Sequence, residues 1–544
     1  MSTDQARQFL HLTGSQEDCL RAAQNRLVNY SSVLWVSTSA LIHGAVPAHK
    51  TAGVLGREFE AIVFDAFSGL AVNALAAVSG TLRGGGLFIL LSPPLEQWPE
   101  FPDPAYQRFL PYPYTAAQVK GLFLKRFIRL LQEPIPPQQT VQLASQTPVD
   151  IQADRQADVV AKLVNTETAS VLTADRGRGK SAALGLAASQ LIAQGNRVLL
   201  TAPARAAVEA VFKHAEFAPE FYAPDAILRH LPQAEVLMVD EAAAIPLPLL
   251  LKLARIYPRC VFATTLHGYE GSGRGFVLRF QQALSQIYPQ WQSLRLEQPL
   301  RWPYNDPLEA LLYRLLLLDV EAVAIQFDPK VDLEYRQLQQ EQLLAHEDLL
   351  QQLLGLLVTA HYQTRPSDLQ QILDAPNLSI HVLQQNQQIL AVALLSQEGG
   401  FDPELGQAIY AGQRRPHGHL VPQTLTFHAQ LLGAAELVCE RIMRIAVHPS
   451  MQGQGLGSRL IQALIRYASL QKADYLAVSY AFSPELLRFW QRSGFMLARI
   501  GYRTDTASAS RSAVQIKALS TAGERLVEQI LMHAPVDPTG ISGD

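Results

Sequence analysis

Glycine, lysine and hydroxyl residues are grouped in Ala174-Asp175-Arg176-Gly177-Arg178-Gly179-Lys180-Ser181. Glycines at this spacing let successive backbone N–H groups turn inward on a chain of phosphates, at the positive end of a following helix. Lys180 is placed to reach the β- and γ-phosphates of a nucleoside triphosphate, and the Ser181 hydroxyl to ligate Mg2+. Ala174 stands where the pattern's first glycine is usual, and Ala182 and Ala183 carry it into the helix. Further on, the apolar run Val236 to Val239 ends in Asp240 and Glu241. Asp240 would hold the ATP-bound Mg2+, and Glu241 would polarise the attacking water. An ordinary acidic strand end explains that pair taken alone; the two elements in this order favour an ATP site.

A second glycine turn, Gln452-Gly453-Gln454-Gly455-Leu456-Gly457, carries different chemistry. It follows an apolar strand and opens a helix, the pattern of the pyrophosphate turn in GNAT-type acetyltransferases. Backbone amides from Gly453 to Ser458 would grip the pyrophosphate of acetyl-CoA. The strand edge at Ile445, Ala446 and Val447 would pair with the pantetheine, and the Val447 amide would polarise the thioester carbonyl. Acyl transfer to an amine also needs a proton acceptor. Glu485 and Arg492 lie seven residues apart, on one face of a helix. They are candidates, with an exposed pair on an amphipathic helix as the plainer alternative. His361 and Tyr362 are the other ionisable candidates, against a structural role for a lone histidine at a helix end.

These residues need elements to position them. A chain of 544 residues holds several domains, since one core rarely serves more than about 250 residues. Hydrophobic residues at 48% against 17% charged exclude a disordered chain. No apolar run reaches the ~18 residues of a membrane helix, and residues 1–5 lack the start of a signal peptide. Cys19, Cys260 and Cys439 lack ligand or disulfide spacing, so a reducing cytoplasm is expected. The net charge of −3 puts any nucleic-acid contact in local patches. Lys120 to Arg129 and Arg414 to His417 are two candidates; a solvated helix face and a loop are the bland alternatives.

The expected class is α/β and multidomain. Residues 1–135 form an α/β accessory domain with strands at Val33–Ser37, Ala61–Asp65 and Gly86–Leu91. A helix over Leu70–Leu82 is closed by Gly84, Gly85 and Gly86. A proline-rich break at 133–139 precedes a RecA-like P-loop module over 149–330, with alternating strands and helices and a parallel sheet. An amphipathic helix over Leu338–Leu357 bridges to a GNAT α/β domain over 348–518. A short tail, 521–544, follows.

Asp240 to Ala243 resembles the DEAD-type box of superfamily helicases, and Ala263 to Thr265 the motif that couples hydrolysis to nucleic-acid movement. By the same resemblance Gln156 could read the adenine edge, with Gln152 as a rival, and Arg301 could face the γ-phosphate as an arginine finger. Across nearly its whole length the chain resembles the tRNA(Met) cytidine acetyltransferase (TmcA) family. The segments that carry the likeness include Phe64–Phe67, Ser79–Gly86, Arg176–Ala183, Asp240–Ala243, Gly271–Phe276 and Arg301–Pro307. They continue at His361–Tyr362, Leu373–Pro376, Arg414–Leu420 and Ile445–Val447.

The resemblance implies N(4)-acetylcytidine made from acetyl-CoA with ATP hydrolysis, at the wobble position of elongator tRNA(Met). It places ATP contacts at Gln156, Ala174 to Ala183 and Arg301. Acetyl-CoA contacts fall at Ile445 to Val447, Gln452 to Ser458, Glu485 and Arg492, and His361 is the candidate proton acceptor. The family carries a helical RNA-binding extension after the GNAT module, whereas only Thr521 to Asp544 follow it here. Two other functions fit the motifs: a protein lysine acetyltransferase with an ATP-sensing domain, and an ATP-dependent RNA chaperone whose GNAT module only binds CoA. The helicase-like boxes favour RNA over protein as substrate, and the intact CoA turn favours a live transferase.

Overall fold

The computed structural model describes residues 5–134, 150–152, 155–266, 274–360, 364–504 and 511–533. The chain divides into two compact units. One comprises Met1–Ala105, Leu124–Asp319 and Tyr362–Leu369, and the other Tyr106–Phe123, Val320–His361 and Gln370–Asp544.

The first unit contains two parallel sheets. The smaller has β1 (Gln8–Thr13), β2 (Val33–Val36), β3 (Phe59–Asp65) and β4 (Leu82–Ser92), in the order β1-β4-β3-β2. Residues 61–64 of β3 and 87–91 of β4 are apolar and buried on both faces, as inner strands of a parallel sheet must be. The helix expected over Leu70–Leu82 is shorter, Val72–Ser79, and ends on Gly80. The three glycines instead belong to β4. Gly85, at φ +71, donates its N–H to the Gln5 carbonyl at 2.8 Å, so the glycines serve a close backbone approach rather than a helix stop.

The larger sheet has β5 (Asp150–Gln152), β6 (Ala169–Ala174), β7 (Val198–Thr201), β8 (Glu220–Phe221), β9 (Val236–Val239), β10 (Cys260–Thr265) and β11 (Gln292–Leu296). Their order is β5-β11-β6-β10-β9-β7-β8, and all pairs are parallel. Helices cover both faces, with separate apolar cores around Leu184 and Leu191 on one side and Phe262 and Phe280 on the other. In such a sheet ligands bind beyond the carboxyl ends of the strands, where β6 runs into the glycine loop and β9 into Asp240.

The second unit is built on β12 (Glu334–Leu338), β13 (Leu378–Gln385), β14 (Gln388–Gly399), β15 (Val438–Val447), β16 (Tyr475–Ala481), β17 (Met496–Thr504) and β18 (Arg511–Ala518). The order is β12-β13-β14-β15-β16-β18-β17; only the β15–β16 pair is parallel. The helix Leu456–Leu470 buries Leu460, Ile461 and Leu464 against one face. On the other face, Leu526 and Ile530 of the helix Thr521–His533 pack beside Tyr475 and Ile516, so residues expected in a tail begin with a docked helix. The single helix expected over Leu338–Leu357 is instead the end of β12 and two helices, Gln340–Ala345 and Glu347–Ala360. The break is His346, in an extended conformation.

Candidate functional site

In the first unit the glycine loop is shaped by two left-handed residues, Gly177 (φ +82) and Gly179 (φ +81). Gly179 caps the helix Lys180–Ala193, and no side chain caps its first turn, so the N–H groups there stay available. Lys180 is buried, and its ammonium donates to Asp240 Oδ1 and, at 2.8 Å, to Glu241 Oε1. Burial alone would pull the Lys180 pKa down; the charges of Asp240 and Glu241 outweigh it and the pKa is raised. Ser181 Oγ donates to Asp240 Oδ2 at 2.8 Å. A hydroxyl and a fully buried carboxylate are thus already adjacent, a donor set of the hard oxygen type that suits Mg2+. Glu241 takes a left-handed backbone (φ +49) and accepts a hydrogen bond from Thr265 Oγ1 at 3.4 Å, which joins the ends of β9 and β10.

Gln156 lies on this loop, its Nε2 donating to the Gly179 carbonyl at 2.9 Å. The side chain of its rival, Gln152, lies outside the described residues. Ala174 is buried at the end of β6, facing Thr265 and Leu296 in register, and Ala183 is buried in the helix that Ala182 helps to start. Arg178 forms a two-pronged ion pair with Glu309 at 2.9 and 3.1 Å. Arg176, which follows Asp175, lies against Gly80, where an added Cβ would stand 2.9 Å from its Nε. Arg301 donates to the Gly80 carbonyl at 3.0 Å and lies 3.4 Å from Glu58. Three loop-side arginines therefore meet structural partners. Sequence inspection missed a further neighbour, Trp302, whose ring closes over Gly177: an added Cβ there would stand 2.6 Å from Cη2. The tryptophan directly after Arg301 was the available signal.

In the second unit β14 and β15 pair Leu394 with Arg444 but Leu395 with Ile442, leaving Met443 as an extra residue. Such a bulge bends its strand. Pairing of β15 with β16 stops at Ile442 with Val478; β15 continues to Val447, whereas Ser479 to Ala481 pair only with β18. The two strands diverge and leave a cleft, and along it this edge of β15 pairs with no other strand among the described residues. The His448 amide donates to Leu390 of β14 at 2.8 Å, so by strand alternation the Val447 and Ile445 amides point the other way, into the cleft, and the Ala446 amide toward β14.

The glycine turn lies beyond β15. Gly453 (φ +77) and Gly455 (φ +82) are left-handed, and an added Cβ at either meets nothing within 4 Å. Open space at two such positions is a cradle that side chains would fill, and it fits a pyrophosphate. Gly455 caps the helix Leu456–Leu470, whose first turn carries no side-chain cap and includes Gly457 and Ser458. Gln452 and Gln454 brace the turn, donating to the carbonyls of Val447 at 3.3 Å and Ser450 at 3.2 Å. Glu485 and Arg492 are exposed at opposite ends of the helix Pro484–Arg492, and Glu485 lies 3.9 Å from Arg488. Phe489 of that helix borders Gly457, where an added Cβ would stand 3.4 Å from its ring. His361 and Tyr362 lie outside the described residues.

The fold and these two sites define a class: a P-loop module of helicase type joined in one chain to a GNAT-type acyltransferase. Three family models match it in order: tRNA(Met) cytidine acetyltransferase TmcA, N-terminal, over residues 1–136; RNA cytidine acetyltransferase NAT10/TcmA, helicase domain, over 171–319; and GNAT acetyltransferase 2 over 352–474. Among curated relatives, a tRNA(Met) cytidine acetyltransferase TmcA from Nitrosococcus halophilus is 41% identical, over 97% of this chain and 78% of the relative. Proteins of the same name from Salmonella typhimurium and Haloferax volcanii are 36% and 34% identical, over 97% and 88% of this chain and 79% and 72% of theirs. The chain belongs to the tRNA(Met) cytidine acetyltransferase TmcA family. No described helix is long and apolar enough to cross a membrane.

Proposed function

We propose that this protein is an ATP-dependent RNA cytidine acetyltransferase that forms N(4)-acetylcytidine from acetyl-CoA, at the wobble cytidine of elongator tRNA(Met). The observation that carries it is the divergence of β15 from β16 at Met443, beside the open Gly453–Gly455 cradle. Acetyl-CoA supplies the activated acyl group. The turn from Gly453 to Ser458 binds the pyrophosphate, and Glu485 and Arg492 flank it. The edge at Ile445 and Val447 holds the pantetheine, and the Val447 N–H donates to the thioester carbonyl as negative charge develops there. The exocyclic amine of cytosine is conjugated into its ring and is a weak nucleophile, so orientation carries much of the catalysis. As the N–C bond forms and the C–S bond breaks, one amine proton must leave; His361 is the proposed acceptor.

In the ATP site Gln156 meets the adenine side, the loop from Ala174 to Ala183 wraps the phosphates, and Lys180 turns from its carboxylates to them. Ser181 and Asp240 hold Mg2+, which neutralises phosphate charge, and Glu241 orients water. Hydrolysis serves to splay the target base out of folded RNA.

Nucleoside mass spectrometry tests the proposal, on tRNA from a strain lacking the protein, incubated with protein, acetyl-CoA and ATP. Acetylcytidine formed only with both small molecules is the expected result. Lys180→Ala should lose acetylation of folded tRNA and keep acetyl-CoA binding; normal modification by that variant would sink the coupling.

A further inference from the structure

Of the two basic stretches in the sequence, the first has three of its four cations already partnered, and its Lys125 is exposed. Lys120 pairs with Glu341 at 2.6 Å, Arg126 is buried and donates to the Leu315 carbonyl at 2.6 Å, and Arg129 pairs with Glu133 at 3.3 Å. The other is presented. Arg414 and Arg415 are exposed, and neither pairs with a carboxylate among the described residues.

The surroundings of this second stretch were not legible in the sequence. Thr424–His428 form one π-helical turn, an irregularity often found at functional sites. It carries Phe427 outward, 42% exposed. Gly412, at φ +73, lets the backbone pass beneath the ring; an added Cβ would stand 2.8 Å from Phe427 Cε2. The ring is therefore braced from one side by backbone while much of it remains open to solvent. His428 is exposed beside it, ring centroids 4.9 Å apart. Arg499 reaches the same turn from β17, its Nη1 donating to the His428 carbonyl at 2.6 Å. His428 is held below the usual imidazole range, by desolvation first and then by the positive charges of Arg499 and Arg415, which places both arginines within electrostatic reach of the ring.

We propose that Phe427 and the surrounding Arg414, Arg415 and Arg499 form a docking platform for single-stranded RNA, with a base stacked on the Phe427 ring and phosphates on the guanidinium groups. A braced, exposed aromatic ring among cations is the combination that binds unpaired nucleotides, because every base has a π-face and every linkage a negative charge. Arginine suits both tasks, through planar contact with phosphate and stacking. The local excess of positive charge stands out in a chain of net charge −3, so charge complementarity favours a polyanion here. The platform rests on the RNA-substrate function proposed above and adds to it a place where the strand is held. It uses none of the residues assigned to acetyl-CoA.

The test uses the full chain, with a labelled oligocytidylate and an unmodified tRNA(Met) transcript, and follows binding by fluorescence anisotropy across a salt series. The paired change Arg414→Gln and Arg415→Gln should weaken binding and flatten the salt dependence, by about 0.7 in log–log slope for each phosphate no longer neutralised. Phe427→Leu should weaken oligocytidylate binding about tenfold and leave the slope unchanged, and Phe427→Tyr should retain binding. Thermal melting and acetyl-CoA titration should match wild type in all three, which separates the platform from folding and from the transferase site. Wild-type affinity and slope in every variant, with acetylcytidine still formed, would overturn the platform and leave the enzymatic function standing. Absence of both RNA binding and acetylcytidine in the wild-type protein would overturn both. Equal weakening toward a polyglutamate probe would reassign the surface to an acidic protein segment.

Discussion

The guanidinium of Arg7 lies 3.6 Å from the centroid of the Trp302 ring, and that ring in turn closes on Gly177 of the phosphate loop. Arg7 is 3% exposed and donates to Asp306 through Nε at 3.0 Å and Nη2 at 2.8 Å, and to the Ser79 carbonyl at 2.8 Å. A residue just before β1 thus supports the nucleotide loop through one aromatic side chain. Arg7→Ala leaves buried Asp306 without its cation, which costs about 3–5 kcal/mol, and removes support from Trp302. Melting temperature and ATPase rate should both fall, and Arg7→Lys should restore them only in part, since an ammonium lacks the planar fork. Unchanged ATPase in Arg7→Ala would refute the support role.

The two glycine loops should respond differently to alanine. At Gly177 a methyl group meets both a left-handed backbone and the Trp302 ring, so strain of about 1–2 kcal/mol is joined by overlap of similar size. At Gly453 the backbone is equally left-handed, but the space is open, leaving backbone strain of about 1–2 kcal/mol alone. Calorimetric titration should show ATP binding largely lost in Gly177→Ala and acetyl-CoA binding moderately weakened in Gly453→Ala.

The buried Lys180–Asp240 pair predicts a non-additive double mutant. Lys180→Met strands Asp240, and Asp240→Asn removes one of the two carboxylates facing Lys180; breaking a buried pair costs about 3–5 kcal/mol. The double variant leaves only the part-exposed Glu241, no longer a fully buried carboxylate, without the Lys180 cation, and should be more stable than Lys180→Met alone, while remaining inactive as an ATPase. Urea denaturation of the four proteins measures the coupling.

Stability should fall between mildly acidic and mildly alkaline pH, because of one carboxyl group. Glu440 is 4% exposed on β15, and its pKa is raised to about 7, by burial first and then by the charge of Glu398. Glu398 is occupied elsewhere, accepting from Arg441 Nε at 2.5 Å and the Val421 N–H at 3.0 Å. Because the folded pKa lies above the unfolded one, the native state holds the extra proton. The resulting stability is full below the unfolded value and is lost as pH rises through about 7. The loss is on the order of 3 kcal/mol. Glu440→Gln should melt at nearly the same temperature at pH 6 and pH 8, where wild type declines; parallel declines would reject Glu440 as the cause.

Much of this architecture can be read in the residues because glycine and apolar runs punctuate it. The helix after the second glycine turn runs from Leu456 to Leu470 and its neighbour from Pro484 to Arg492, as their periodicity indicates. β1 escaped notice because Gln8 to Thr13 is a short edge strand in which Phe9 and Leu10 adjoin and no residue is fully buried, so neither strict alternation nor a long apolar run marks it. The run from Leu338 to Leu357 reads as one helix because leucine and glutamine both favour it; pairing of β12 with β13 and the break at His346 override that propensity. At the sites, residue types identified the loops, but long-range partners were hidden. Neither the ion pair of Arg178 with Glu309 nor the ring over Gly177 leaves a local pattern.

The extra residue in β15 also reverses the strand's parity. Val438 turns its carbonyl and its amide toward Asp474, at 2.8 and 2.9 Å, on the β16 side. His448, an even number of residues further on, turns its amide toward β14 instead. Side chains record the same reversal: Ile442 and Ile445, an odd number apart, share one core. One inserted residue therefore exchanges which half of the backbone is spent on holding the sheet together and which faces outward. Were Met443 instead paired in regular alternation with β14, the amide aimed into the cleft would be that of Ala446, and the side chains of Ile445 and Val447 would change faces with it.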